Sequence, residues 1–515
     1  MSGVQFPADA EGRRSTTAPA KKIWERAFAG VDDDGVEALV AEKNWRKAYA
    51  GHVYELTRKS ARTPELTLKV AQQGLEAVQD TFEFVRDGKS YSIPEALDTF
   101  TNVPKTAVVK SEAKRPVVEA AALSVPFSKG EIASGDALEK RVEELVANDH
   151  VEPDVLEAIK EINASGEDCF SALADTYFVI LGATSELCPL EPLLEMGLNV
   201  VAVSRPSPAR QAKLVALAQN APEGASLSFP VMGAVNDPAD LTDPSKAADI
   251  VGVDIVENMP EVANWLVSLY PGKRLVIGSY IYLDGANHVR ASVAMDAVLQ
   301  RVLEKRPDTA LAYLGSPAVA YPIPQASWEV SMSNFKKGPT FWQNALGLFL
   351  RSYAPNNEDP VVAESVNTDA ADTSKEIYMF NGIVNMQGPN YLLAKTLQNW
   401  RAMVAREVNK ALVSVNMAPS SRTDSVMHVP AVARGVRGFE AFPPLTSFDP
   451  ATARSMMALL LVHDLVDKKS PANPEVALRN PLDIFASYGV HAGLWRAPFS
   501  QESLGPSLYA ASFFV

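Results

Sequence analysis

Tyr391 and Lys395, one helical turn apart in NYLLAKTL, are the residues best spaced for acid–base chemistry. Residues i and i+4 share one helix face, so an ammonium beside a phenol favours the ionised phenol. A group that titrates at about 10 in isolation is thereby brought toward use at neutral pH. A second cluster, Gly182-Ala183-Thr184-Ser185, follows the apolar run YFVIL and precedes a helical pattern. Small residues in a tight strand-to-helix turn let the backbone approach a phosphate. The next apolar run ends in VVAVSRP, with Arg205 where an acidic residue would grip the ribose hydroxyls of NAD. A guanidinium there suits a 2′-phosphate, and a solvated arginine at a strand end is the alternative reading.

Metal and disulfide chemistry have little support. The six histidines form neither an HExxH pattern nor another close ligand spacing, so each reads as a surface or satisfied core residue and no metal is expected. Two cysteines, Cys169 and Cys188, supply neither a disulfide framework nor a thiolate site, which points to a reducing, cytoplasmic setting. The first residues, MSGVQFPADAEGRR, lack an apolar signal core, and no run approaches the ~20 apolar residues of a membrane span. A net charge of −14 argues against nucleic-acid and anionic-membrane partners, which select clustered Lys and Arg.

The elements that must position these residues lie from Tyr177 onward. Short apolar runs (YFVILGA, NVVAVSR, SLSFPVMG, KRLVIGSYIYL, TALAYLGSPA, ALVSVNMA) alternate with helix candidates such as LEPLLEMG, PARQAKLVALAQN and HVRASVAMDAVLQRVLEK. That alternation predicts an α/β fold with a doubly wound parallel sheet of the Rossmann type over residues 171–515. Ahead of it, residues 1–20 are expected to be disordered and 21–100 to form a helical N-terminal region. Residues 101–170 are expected to be a connector with helices; from Thr101 to about Lys129, where Pro104, Pro116 and Pro126 interrupt short Val/Ala runs, the chain reads as a connector or a pair of extended segments.

The stretch from Tyr177 to about Asp424 resembles the short-chain dehydrogenase/reductase superfamily in three ordered features. LGATSELC, from Leu181 to Cys188, matches the turn Thr-Gly-x-x-x-Gly-x-Gly in its first glycine; Glu186 and Cys188 replace the other two, bringing a carboxylate near the expected pyrophosphate. Tyr391 and Lys395 match the Tyr-x-x-x-Lys pair. The following VSVNMAPSSRT keeps Pro419 of a Val-Asn-x-x-x-Pro-Gly strand end, with Ser420 for the glycine. The resemblance implies an NADP-dependent oxidoreductase. Gly182, Ala183, Thr184, Ser185 and Arg205 would hold the cofactor, and Thr423 would contact the nicotinamide carboxamide. Ser316 in AYLGSPA would orient the substrate oxygen, Tyr391 would handle the proton, and Lys395 would lower its pKa and hold the ribose. The superfamily's catalytic asparagine finds no match.

The distance from Ser316 to Tyr391 implies an insertion over 317–389 ahead of the Tyr-x-x-x-Lys helix. Its aromatics, Trp328, Phe335, Phe341, Trp342, Phe349, Tyr353, Tyr378 and Phe380, admit two readings. One is a lid over a bulky apolar substrate of acyl, polyketide or isoprenoid type; the other is a small subdomain core or a homo-oligomer face. GPTFWQNALGLFLRSYA also reads as a segment for peripheral membrane contact. A rival reading, favoured by Glu186, Cys188 and the missing asparagine, is a catalytically degenerate binding or assembly factor acting through the N-terminal helices.

Overall fold

Strands that are apolar at nearly every position must be covered on both faces, and the computed structural model, which describes residues 2–114, 116, 123–165, 168–233, 235, 237–241, 243–347 and 353–514, has that arrangement. The central sheet comprises β1 (Lys105–Lys110), β2 (Thr176–Leu181), β3 (Asn199–Val203), β4 (Ser226–Val231), β5 (Arg274–Ser279), β6 (Ala310–Gly315) and β7 (Val413–Met417). The order is β7-β6-β5-β2-β3-β4-β1, and every neighbouring pair is parallel except β4–β1. Side chains alternate between two cores. Val179 and Leu181 join Trp265 and Leu299 on one face, while Phe178 and Ile180 join Leu193 and Leu460 on the other. A mostly parallel sheet flanked by helices is compatible with the expected Rossmann-like fold.

Two segments differ from the sequence expectation. β1 lies within the expected connector, and its antiparallel pairing with β4 adds a seventh strand to the sheet. Ala107 and Val109 are buried between exposed lysines, and Thr106 accepts a hydrogen bond from Trp265 Nε1 at 2.8 Å. Residues 2–20, expected to be disordered, include strand Gly3–Gln5, which pairs antiparallel with Glu83–Arg86, and the start of helix Thr17–Ala27. Burial of Val4 and Phe6 supplies the apolar contact that anchors this segment.

The N-terminal helices are docked on the helix that carries Tyr391 and Lys395. Helix α1 (Pro64–Thr81) and helix α2 (Ala286–Lys305) both pack against α3 (Pro389–Glu407). Gly74 of α1 admits the Trp400 ring of α3 so closely that a Cβ would lie 2.4 Å from it, and Trp24 meets Trp400 edge-on at 5.4 Å. Most aromatics of 317–389 are core residues. Trp328 packs on Tyr378, Tyr353 stacks on Phe499 at 4.7 Å, and Phe380 is fully buried against Tyr321. Phe341 and Trp342 are the exceptions, 81% and 75% exposed. Phe349 and the neighbouring part of GPTFWQNALGLFLRSYA lie outside the described residues.

Candidate active site

The chain order of the strands reverses at β2, whose neighbours are β3 and β5, and in open α/β sheets ligands bind outside the carboxyl ends of the strands at such a point. Gly182 leaves β2 there with φ +102°, and a Cβ on it would lie 2.8 Å from the Ile281 backbone nitrogen. The loop after β5 therefore rests directly on the turn, helped by the Tyr280 N–H donating to Leu181 O at 2.8 Å. We expect Gly182→Ala to destabilise the fold by about 1–3 kcal/mol through strain and this contact. An unchanged urea midpoint would show that the loop yields instead.

The turn is more closed than the sequence implies. The N–H groups of Gly182 and Ala183 both donate to Val203 O, that of Ser185 to Gly182 O, and that of Cys188 to Ser185 O. The following helix starts only at Leu190, after Pro189, and runs six residues to Glu195. Cys188 is buried with its thiol 3.4 Å from Ala183 O, and burial pushes the thiol up to about 11. Thr184 is exposed and Ser185 half-exposed. Glu186 does not stand as a bare charge at the turn: its Oε2 accepts the Asp424 N–H at 2.8 Å. That bond links the turn to helix Asp424–Met427, for which Thr423 is the N-cap. The Thr423 hydroxyl is buried and lies 3.0 Å from Ser425 Oγ. Arg205 is exposed, two residues beyond the end of β3.

At the same edge, Ser316 follows β6 and Tyr391 occupies the first turn of α3, which Gly388 and Pro389 start. Although 75 residues separate them, Ser316 Oγ and Tyr391 OH lie 2.8 Å apart. Ser316 Oγ also accepts the Ala318 N–H at 3.1 Å. Lys395 is on the same helix but does not hydrogen-bond Tyr391; its Nζ donates to Gln398 Oε1 at 3.1 Å. Burial raises the Tyr391 pKa, opposed by the Ser316 hydrogen bond, and pushes Lys395 down to about 8. The arrangement can hold a protonated phenol against a second hydroxyl, with a buried cation one turn away. No protein-family model and no curated protein matches the chain.

His288 was not anticipated from the sequence. It is fully buried in the first turn of α2, with its ring stacked on Tyr391 at 5.5 Å and 20°. An isolated histidine carries no spacing signal; only the packing of α2 on α3 brings it here. Three other histidines pair with carboxylates: His52 with Glu42, His463 with Glu161 and His491 with Glu152. Glu161, His463 and Asp467 have ligand atoms within 4.8 Å of one another, but the 2.7 Å His463–Glu161 contact already uses two of them to tie their helices together. Among the described residues, no helix is long and apolar enough to cross a membrane.

Proposed function

We propose that the chain is an NADP-dependent oxidoreductase of the short-chain dehydrogenase/reductase type, built on a doubly wound Rossmann sheet and acting at a carbonyl or hydroxyl carbon of a bulky apolar substrate. The observation that carries this reading is the 2.8 Å approach of Ser316 Oγ to Tyr391 OH at the carboxyl edge of the sheet. The nicotinamide, when bound, supplies the hydride chemistry. Tyr391 OH donates a proton to a substrate carbonyl oxygen, or takes one from a hydroxyl, while Ser316 orients that oxygen. Lys395 contributes a buried positive charge and a donor for ribose hydroxyls. Thr423 would turn its hydroxyl from Ser425 to a carboxamide.

The donor set suits such a cofactor at its two ends. Arg205 is exposed beyond β3 and free to meet a 2′-phosphate, and the Thr184 and Ser185 hydroxyls at the Gly182–Ala183 turn supply donors for a pyrophosphate. Pairing of Glu186 with Asp424 N–H removes part of the expected repulsion. We expect Arg205→Glu to weaken NADPH binding at least tenfold while NADH binding changes little, read from cofactor fluorescence. Equal losses for both would remove Arg205 from the site. Cys169 and Cys188, both buried and in no disulfide, suit a cytoplasmic setting. The exposed Phe341 and Trp342 support an apolar substrate, a homo-oligomer face or a peripheral membrane contact.

A second reading, a binding or assembly factor without catalysis, is favoured by the turn whose N–H groups are largely spent on its own backbone and by the late, six-residue helix after it. A titration of NADPH fluorescence decides between the two. Saturable binding supports the oxidoreductase, and no binding at high micromolar cofactor sinks it.

A further inference from the structure

α2 and α3 face each other through a ladder of polar side chains. His288, Ser292, Asp296 and Gln300 recur at every fourth position of α2, on one helix face. The α3 partners are Tyr391, Lys395, Gln398 and Arg401. Arg401 grips Asp296 through Nε at 2.6 Å and Nη2 at 3.0 Å, and reaches Gln300 at 3.3 Å. Gln398 donates to Ser292 Oγ at 3.1 Å and accepts from Lys395 Nζ at 3.1 Å. Above these satisfied rungs, His288 stacks on Tyr391.

Among the described residues, two donor groups at the Tyr391 end are not fully met. The Leu283 N–H donates to His288 Nδ1 at 3.3 Å, which assigns the ring proton to Nε2. Among the described residues, His288 Nε2 is buried without a hydrogen-bond partner. Lys395, with three N–H donors, makes one hydrogen bond among the described residues, to the neutral Gln398 amide, and no carboxylate pairs with it there. Burial, reinforced by the charge of Lys395, lowers His288 to about 3, so the imidazole remains neutral and keeps a single N–H. Buried donors of this kind are rarely left unmet in folded proteins; water or a ligand completes them.

We propose that His288 Nε2–H and the Lys395 ammonium converge on one buried acceptor oxygen beside the Tyr391 ring, making His288 a positioning residue of the site. The oxygen belongs to water in the ligand-free protein and to a ligand hydroxyl when the site is filled. The ligand half rests on the oxidoreductase reading; the water half does not.

High-resolution crystal structures of the ligand-free protein and its variants test this. An ordered oxygen is expected within about 3.2 Å of His288 Nε2. His288→Gln, which keeps an N–H donor, should retain it, and His288→Phe, which keeps a ring against Tyr391, should lose it. A His288 Nε2 facing only carbon, or bonded to a protein acceptor, overturns the proposal. So does a ¹⁵N-histidine spectrum in which Nδ1 of His288 carries the proton. With NADPH and a reducible carbonyl compound, His288→Phe should lower kcat at least tenfold and change the pH–rate profile, with His288→Gln recovering most of both. Turnover in His288→Phe within threefold of the parent, at an unchanged profile, removes the positioning role even though the enzyme reading survives. Absence of NADPH binding, with the water seen at Nε2, sinks the enzyme reading and leaves the donor pair standing.

Discussion

Tyr391→Phe is expected to lower kcat by about a hundredfold to ten-thousandfold, the usual contribution of a positioned general acid or base, while NADPH affinity changes less than threefold. The substitution removes the hydroxyl that meets Ser316 Oγ at 2.8 Å and keeps the ring that His288 stacks on, so the loss belongs to proton transfer and not to packing. Burial raises the Tyr391 pKa, so the phenol stays protonated across neutral pH, the form that carbonyl reduction requires. Lys395, pushed down to about 8 by burial, loses its charge as pH rises past that value. Reduction is therefore expected to weaken above about pH 8 as ribose binding and the local positive potential decline. Steady-state NADPH oxidation with a panel of apolar aldehydes and ketones reads both effects. Turnover that Tyr391→Phe leaves intact would refute the tyrosine's role.

Ser316 and Tyr391, which lie 2.8 Å apart, were legible as candidates because one stands where a strand ends and the other where a helix starts, and such ends carry local signals; Lys395 was a candidate by its four-residue spacing. Six of the seven sheet strands were legible for a related reason: burial on both faces writes them as unbroken apolar runs, as in YFVIL of β2. β1 was legible only as a connector or extended segment, not as a strand of the sheet, because it buries alternate residues, with Ala107 and Val109 inside a lysine-bounded hexamer. Strand Gly3–Gln5 is three residues long and exists through pairing with residues some 80 positions on, which no local pattern encodes. The same holds at the site. Glu186 was legible as a departure from a glycine, but its partner Asp424 lies 238 positions away. The stacking of His288 on Tyr391 arises only at the α2–α3 interface. The N-terminal helices were legible by period, whereas their docking on α3 depends on one missing Cβ at Gly74, recognisable only once Trp400 is opposite it.

Glu152→Gln is expected to destabilise the native state by about 3 kcal/mol at neutral pH, and the deficit should shrink in acid. Glu152 is buried as N-cap of helix Pro153–Ala164. Its carboxylate accepts from His491 Nε2 at 2.9 Å, from Arg496 Nε at 3.1 Å and Nη2 at 2.9 Å, and from Ser327 Oγ. One side chain thereby ties the helix before β2, helix Gln325–Lys337 and the C-terminal segment together. Burial alone would push Glu152 up. The His491 hydrogen bond, with those of Arg496 and Ser327, reverses this and holds it at about 2, against 4.5 for the free group. The native state thus binds fewer protons than the unfolded chain between those values, so this stabilisation is complete above about pH 4.5 and is lost as pH falls toward about 2. The interval corresponds to about 3 kcal/mol, in line with breaking a buried ion pair; Arg496 keeps Asp149 at 2.7 Å, which limits the loss. Asp154, two residues on, works in the opposite direction: burial raises it to about 6, so its ionisation weakens the fold as pH rises toward that value. The pH profile of the parent protein mixes the two; the glutamine of the variant does not titrate, and because the Glu152 charge also helps raise Asp154 and His491, the parent-minus-variant difference reports Glu152 together with its coupling to those two groups. Urea midpoints measured from neutral pH down through the acid range, to about pH 3.5, should show a narrowing gap. A gap that is constant across that range would mean that shape and hydrogen bonding, not the charge of Glu152, hold these three segments together.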